Sequence, residues 1–167
     1  MGPQGPNALV PRSGAGHARQ MAFDVERLLR LWTDRLPEDD AAAADAFREV
    51  YTDPVPVNGT LLTAADLAAR ARSLQAAFER PERELLAVLD GGTQVAVAFR
   101  LRGRQVGVLG TAAGPLAPTG QVLDLRVIDV LTVTDGRVSS IVMVADELGA
   151  LAAAGAVRLE PVGAAPA

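Results

Sequence analysis

One carboxylate in this sequence stands in a row of side chains that is otherwise apolar. The stretch Gln121–Gly136 reads QVLDLRVIDVLTVTDG and predicts a long β-strand. Side chains alternate between the two faces of a strand. The face that carries Asp129 is otherwise formed by Leu123, Leu125, Val127, Leu131 and Val133. Asp129 is therefore predicted to point toward a core or a pocket, while the more polar opposite face meets solvent or a partner.

Burial would change the chemistry of this carboxyl group. An ionised carboxylate in apolar surroundings loses hydration, which raises its pKa unless a cation or several hydrogen bonds favour the charged form. A raised pKa suits a group that exchanges protons near neutral pH. Asp129 is thus either an acid-base catalyst or a structural carboxylate, held by backbone amides or by an arginine such as Arg102 or Arg126.

The composition removes most other catalytic chemistries. The chain has no Cys, its one histidine is His17 in the amino-terminal tail, and all 16 basic residues are Arg. Thiolate nucleophiles and lysine Schiff bases are therefore excluded, and histidine triads and His-bound zinc have no histidine in the folded body. Carboxylates, arginines, hydroxyls and Trp32 remain, and we expect neither a metal nor a cofactor.

Length and charge indicate one soluble domain. The 167 residues are enough for one continuous core. No apolar run approaches the roughly 20 residues that span a bilayer. The net charge of −4, with scattered arginines, argues against a nucleic-acid partner. We expect a cytoplasmic protein that binds a small apolar molecule and neither nucleic acid nor membrane.

Three helices are predicted first. Residues 1–20 are expected to be a disordered tail, some or all of it a tag remnant. Residues 21–155 are expected to form the single domain, and residues 156–167 a flexible tail. The first helix runs from Phe23 to Pro37 and the second from Glu38 to Tyr51. A capping signal at Thr63–Asp66 opens a third helix, which carries Phe78 on its apolar stripe and ends near Pro81.

Strands follow the helices, after one short edge strand at Val55–Asn58. The last long strand is apolar on both faces in its second half, which predicts that it is covered on two sides. A final helical turn or two follows it. The predicted strands and loop are Glu84–Asp90, Thr93–Gly103, a short strand at Gln105–Gly110, a loop at Thr111–Gly120, the Asp129 strand, and Arg137–Asp146.

This order predicts an α+β fold, in which a curved, mixed but mostly antiparallel sheet wraps around the three amino-terminal helices. A sheet curled in this way makes a cone, and its apolar mouth is the default ligand site. The opposite face of the sheet is predicted to form a homodimer that covers Ile128 and Val130.

Two further polar residues each have two interpretations. Asp146 follows the last strand, where it either caps the final helix or adds a second catalytic carboxylate at the pocket rim. Asn58 precedes Gly59, where it either shapes a turn or orients a substrate ketone or enol.

Four large side chains are candidate substrate contacts. Trp32 and Tyr51 are the only residues of their types, and each is either a core anchor or a substrate contact. Phe99 shares a strand face with Val95 and Val97, and Met143 is expected to line the apolar pocket.

Three segments also carry a family resemblance. They are VAVAFRLRG (Val95–Gly103), PTGQVLDLRVIDVLTVTDGRV (Pro118–Val138) and VADELGAL (Val144–Leu151). These segments and the order of elements resemble the SnoaL-like polyketide cyclases, within the nuclear-transport-factor-like and ketosteroid-isomerase-like superfamily. The likeness spans about 23–151 and implies the cone fold, which hosts isomerases, cyclases, epoxide hydrolases and plain binding modules.

The resemblance implies a catalytic role for Asp129 but not for a second carboxylate. Its strand is similar to the one that holds the protonated oxyanion-hole aspartate of ketosteroid isomerases. The isomerase base would fall at 57–59, where no carboxylate is present, and the isomerase tyrosine near Trp32. Limonene-type epoxide hydrolases have carboxylates at two places that look like Arg100–Arg102 and Met143 of this chain. Neither carboxylate is present here.

In polyketide cyclases of the family, an aspartate is the acid-base for a C–H bond that the substrate's own carbonyls make acidic. This chemistry is the most compatible with a site that has one carboxylate. The resemblance thus favours a cyclase or isomerase with Asp129 as the acid-base. The alternative is a catalytically silent binding or dimerisation module.

Overall fold

Four helices and eight strands form the part of the chain that the computed structural model describes, residues 23–158 and residue 160. The predicted tails, 1–20 and most of 156–167, lie outside the described residues. No described helix is long and apolar enough to cross a membrane. The elements are α1 (Val25–Thr33), α2 (Asp40–Arg48), β1 (Val55–Val57), β2 (Thr60–Leu62), α3 (Ala64–Ala77), β3 (Phe78–Asp90), β4 (Gln94–Gln105), β5 (Leu109–Thr111), β6 (Gly114–Leu116), β7 (Val122–Thr134), β8 (Arg137–Ala145) and α4 (Glu147–Ala153).

Six of the strands form one sheet in the order β2-β1-β8-β7-β4-β3. All neighbours are antiparallel except β1 and β8, which meet in parallel at Val57 and Ile141. The remaining strands, β5 and β6, pair as a separate hairpin. The predicted α+β class, with helices preceding a mostly antiparallel sheet, is confirmed.

Side-chain caps start the helices where the sequence places acidic and hydroxyl residues. Asp24 and Asp39 accept hydrogen bonds from the first turns of α1 and α2. Thr63 and Asp66 form a reciprocal capping box at the start of α3, which confirms the predicted signal. Each cap satisfies amide groups that the helix itself leaves unpaired.

The helices pack on one face of the sheet, which we call the concave face. The larger core cluster joins apolar residues of α1, α2 and α3 to Val95, Val97 and Leu131 of the sheet. A smaller cluster contains Phe78 and Leu101, with Leu123 of β7. We call the opposite side of the sheet the convex face.

The predicted end of the third helix is wrong. The helix ends at Ala77, and Phe78, predicted on its apolar stripe, is the first residue of β3 with extended backbone angles. Burial of the Phe78 ring beside Leu101 holds this extended start. Pro81 lies inside β3 at a register shift, where Arg80 has a positive φ of 50°. Such a proline is tolerated because β3 is at the sheet edge.

The segment after the second long strand also differs from its prediction. Residues 105–110 do not form one short strand, because β4 continues to Gln105 and β5 begins only at Leu109. The predicted loop at 111–120 contains β6. Hydrogen bonds from the fully buried side chain of Gln105 organise this region, and local sequence patterns do not report such contacts.

The last strand is covered less than predicted. In its second half the apolar side chains of Val142, Met143 and Val144 are exposed by 56%, 41% and 66%. The short strand β1 pairs with β8 only at Ile141, so the second half of β8 extends past its neighbour. The prediction that the second half of β8 is covered on both faces is therefore wrong for a single chain.

Replacing Gln105 is expected to destabilise the fold. Its Nε2 donates to the carbonyls of Gly107 and Ala117 at 3.1 Å, and its Oε1 accepts from Thr119 Oγ1 at 2.7 Å. Gln105→Ala leaves these groups unpaired and should lower the free energy of unfolding by about 2–4 kcal/mol in urea titrations. The control Gln94→Ala, at an exposed site, should change it by less than about 0.5 kcal/mol. Equal losses in both variants would contradict this role.

Candidate active site

Asp129 lies near the middle of β7, a strand in the interior of the sheet. Its cross-strand partners are Val97 on β4 and Met143 on β8, and Val97 is in turn opposite Val88 on β3. Residues opposite each other in antiparallel strands share a face. One row of side chains, Val88, Val97, Asp129 and Met143, therefore crosses four strands of the concave face with a single carboxylate in it.

The carboxyl group of Asp129 has lost much of its hydration. Its Oδ1 atom is buried and has no hydrogen-bond partner among the described residues. This burial raises the pKa of Asp129 to about 6, because water stabilises the charged form and the apolar surroundings do not. The predicted orientation of the side chain agrees with its position.

No arginine of the neighbouring strands holds Asp129. Arg100, Arg102 and Arg126 alternate with the concave-face residues and lie on the convex face. Arg100 approaches Asp124 Oδ1 at 3.0 Å and Glu84 Oε2 at 3.1 Å. In the described chain no salt bridge involves Asp129. The structural interpretation, a carboxylate paired to an arginine, thus has no support within 23–158.

Tyr51 and Trp32 form a hydrogen-bonded pair near Asp129. The Nε1 of Trp32 donates to the Tyr51 hydroxyl at 2.9 Å, and the ring of Phe47 stacks on Tyr51. Burial raises the pKa of Tyr51, and the negative charge of Asp129 raises it further. The tyrosine therefore stays protonated, and because its oxygen already accepts from Trp32, its own O–H is directed elsewhere.

Apolar side chains surround the carboxylate on the concave face. The next row is formed by Leu85, Phe99, Val127 and Ala145. Val127 is buried but belongs to neither core cluster, whereas Leu85, Val88 and Met143 remain 38–41% exposed. These residues form an open apolar surface around Asp129, which we call the cleft. Leu85 and Val88 are three residues apart and share this face because of the register shift between Leu85 and Ala87, so strand alternation alone could not have added both to the predicted lining.

Both polar atoms of the Asn58 side chain are hydrogen-bonded to the backbone of Met143. Its Nδ2 donates to the carbonyl of Met143 at 2.9 Å and its Oδ1 accepts from the Met143 amide at 2.8 Å. Asn58 and Gly59 have φ angles of 48° and 82° and form the turn between β1 and β2. The side chain thus ties this turn to β8, and both ends of its amide are occupied.

Asp146 lies at the end of β8, away from Asp129. Its Oδ1 accepts from the amide of Gly149 at 3.0 Å, which is the N-cap contact of α4. The preceding residue, Ala145, is opposite Val127 rather than Asp129. The structure therefore brings Trp32, Tyr51, Phe99, Met143 and Asp129 together on the concave side and leaves Asp146 at its periphery.

A surface depression lies elsewhere, between α1 and α2. It measures about 250 Å³ and is lined by residues of 27–37 and by Ala46, so Asp129 is outside it. Within the described residues no three His, Asp or Glu side chains lie close enough together to bind a metal ion. Among the carboxylates of the described residues, Asp129 is the one whose pKa is raised by burial.

Comparisons with known proteins agree with this architecture. The SnoaL-like domain family matches residues 24–141. A candidate SnoaL-like polyketide cyclase from Jannaschia sp. CCS1 is 25% identical, with 80% of this chain and 92% of that chain covered and a TM-score of 0.59. TsrD from Streptomyces laurentii is 17% identical, with 80% and 98% covered and a TM-score of 0.60. No curated protein matches the sequence significantly.

The match also includes the residues on which the site depends. It begins at the N-cap of α1 and ends at Ile141 in β8, so Trp32, Tyr51 and Asp129 all lie inside it. The likeness to TsrD, at 17% identity, shows the fold alone. The chain belongs to the SnoaL-like domain family, within the nuclear-transport-factor-like superfamily.

Proposed function

We propose that the protein is a cyclase- or isomerase-type enzyme in which Asp129 is the acid-base on an apolar, carbonyl-containing substrate. The observation that carries the proposal is the buried, unpaired Oδ1 of Asp129, whose pKa is raised to about 6 at the cleft. The likeness to a candidate polyketide cyclase supports the same class of reaction.

The raised pKa suits proton removal from carbon. At neutral pH most Asp129 is ionised and is a stronger base than an ordinary aspartate, whose pKa is about 3.9. It takes a proton from a C–H bond that an adjacent carbonyl makes acidic, and the product is an enolate. The protonated Asp129 then returns the proton to the substrate, so the cycle closes without a cofactor.

Tyr51 is suited to stabilise the enolate oxygen. Its hydroxyl accepts from Trp32, and this contact polarises the O–H bond, so the tyrosine is a better donor. Donation toward a developing oxyanion lowers the energy of the transition state more than that of the bound substrate. Phe99 and Met143 supply apolar contacts for the rest of the molecule.

A silent ligand-binding or dimerisation module is the second candidate. Two observations favour it: both polar atoms of the Asn58 amide are bonded to the Met143 backbone, and the side chain of Asp146 is engaged as a cap. Asp129 would then be a remnant without a proton to transfer. The two candidates differ in whether wild-type protein accelerates proton exchange on a carbonyl compound.

We also propose that the convex face forms a homodimer. Two rows of apolar side chains cross β3, β4, β7 and β8 in register. They are Ala87, Ala98, Ile128 and Val144 in one row and Leu89, Ala96, Val130 and Val142 in the other. Five of these side chains are 37–71% exposed in the single chain. A contiguous apolar face of this kind is typical of protein interfaces, and a second copy would cover the exposed half of β8.

Exchange of acidic C–H protons tests the catalytic proposal. Deuterium incorporation into 2-tetralone, followed by proton NMR, should be faster with wild-type protein than in buffer. The rate should rise about tenfold per pH unit below pH 6 and level off above it, because the base must be ionised. Asp129→Asn should lower the rate about 10²–10⁴-fold and Tyr51→Phe about tenfold or more.

The matched control for this assay is Asp124→Asn, a carboxylate on the same strand that faces the convex side. It should leave the exchange rate unchanged. Full activity in Asp129→Asn would exclude the proposed acid-base, and no acceleration across a series of cyclic ketones and enones would favour the silent module.

Asp129 should also make stability depend on pH. Its folded pKa lies above the unfolded value, so its contribution to stability is fully present below about pH 4 and is lost as pH rises through 6. Asp129→Asn should therefore be more stable than wild type by about 1–3 kcal/mol at pH 8, and the difference should vanish near pH 4. Urea titrations at both pH values measure it. A variant that is destabilised at pH 8 would identify Asp129 as a structural partner.

A charge on the convex face should break the dimer. Ile128 is 53% exposed in the single chain, so Ile128→Glu should fold, but the dimer would bury two like charges. Sedimentation velocity at micromolar concentration should find wild type dimeric and the variant monomeric. Val108→Glu, at a 58% exposed valine in the loop between β4 and β5, should remain dimeric. A monomeric wild type would contradict the proposed interface.

A further inference from the structure

Arg83 carries a second unpaired polar group on the concave face. Its cross-strand partner is Leu101, which faces the helices, so Arg83 points to the same side. One end of its guanidinium, Nη2, donates to Glu26 Oε2 at 3.0 Å, and only 19% of the side chain is exposed. The other end, Nη1, is buried and has no hydrogen-bond partner among the described residues.

This arrangement leaves half of a guanidinium unused. Arginine keeps its charge at all accessible pH values and presents donors in a flat fork that matches a carboxylate or a similar oxygen anion. A buried donor of a charged group that has no acceptor lowers stability by more than one ordinary hydrogen bond contributes. The salt bridge to Glu26 on α1 holds the fork in place, so its free edge is already oriented.

Arg83 and Asp129 lie on the concave face of the sheet, on strands that are separated by β4. Leu101 is four residues along β4 from Val97, the partner of Asp129. Because Arg83 is opposite Leu101, the Cα atoms of Arg83 and Asp129 are separated by about 13 Å along the strands and about 10 Å across them. Between them lies the apolar row of Leu85, Phe99 and Val127. A ligand of two or three rings has the length to contact both groups.

We infer that Arg83 is a substrate-binding residue that takes an anionic oxygen, a carboxylate or an ionised phenol, at the end of the ligand remote from Asp129. The inference rests on the proposed function, because it places the reacting carbon at Asp129 and the anion at the other end. It narrows the substrate class to apolar ring compounds with one anionic oxygen, and it gives the cleft a fixed binding direction.

The test compares two probes of nearly the same shape, the anionic 2-naphthoate and the neutral 2-naphthamide. Trp32, the only tryptophan of the chain, hydrogen-bonds to Tyr51 near Asp129, so quenching of its fluorescence reports binding in the cleft. At pH 7.5 wild type should bind the carboxylate at least about tenfold more tightly than the amide. Arg83→Met should abolish this preference and bind the amide unchanged.

Three further variants separate this inference from the proposed function. Asp129→Asn removes the exchange activity but should keep the preference for the carboxylate. Arg102→Met, a convex-face control, should behave as wild type. Arg83→Lys keeps the charge but not the fork and should reduce the preference, so it serves in place of Arg83→Met if that variant fails to fold.

Each result of the binding series decides one question. Equal binding of the two probes by wild type would overturn the role of Arg83 and leave Asp129 catalysis untouched. A preference that survives in both Arg83 variants would overturn it as well. Loss of the preference in the Arg83 variants alone, with proton exchange on an uncharged ketone retained, would establish Arg83 as the anion-binding residue.

Discussion

The unbroken pairing of β4 with β7 is the constraint on which the rest of the structure depends. From Gln94 opposite Thr132 to Arg104 opposite Val122, the register has no bulge. A shift of one residue would exchange the two faces of β7. This register sends Asp129 to the concave face with Val97 and sends the charged pairs of Arg100 to the convex face. One carboxylate is thereby separated from the arginines of its own and the neighbouring strand.

That separation explains why the pKa of the Asp129 carboxyl group is raised. Apolar neighbours raise the pKa of Asp129 to about 6 because none of them replaces the lost hydration. The nearby Tyr51 is buried deeply enough to stay protonated, and Trp32 occupies the lone-pair side of its hydroxyl. In the proposed reaction, Asp129 is the proton acceptor and Tyr51 is the hydrogen-bond donor that enolisation requires. The unpaired charge is a local destabilisation that a structural role would not require.

The convex face of the same strands carries paired charges and exposed apolar side chains. Its charged row, with Arg100 between Glu84 and Asp124, lies beside two rows of apolar side chains. Because β1 is only three residues long and pairs with β8 only at Ile141, the second half of β8 is paired with β7 alone in the described part of the chain. Charged side chains beside a contiguous apolar surface are typical of a protein interface.

The sequence by itself determined the alternating faces of β7, the helix caps and the α+β order of elements. These features follow from local periodicity and from side chains that act within four residues, such as the box of Thr63 and Asp66. The inward orientation of Asp129 is of this kind, because strand alternation needs no knowledge of the neighbours. The family resemblance stated from three segments is likewise borne out by the match to residues 24–141.

Only the tertiary structure decided what each inward side chain meets. The end of α3 depends on where the Phe78 ring is buried, and the contacts of Asn58 depend on β8, which is 85 residues away in sequence. The unpaired Nη1 of Arg83 follows from a bulge at Pro81 and a salt bridge to α1. Such contacts join distant parts of the chain, so their geometry depends on the register of the whole sheet, which no local pattern contains.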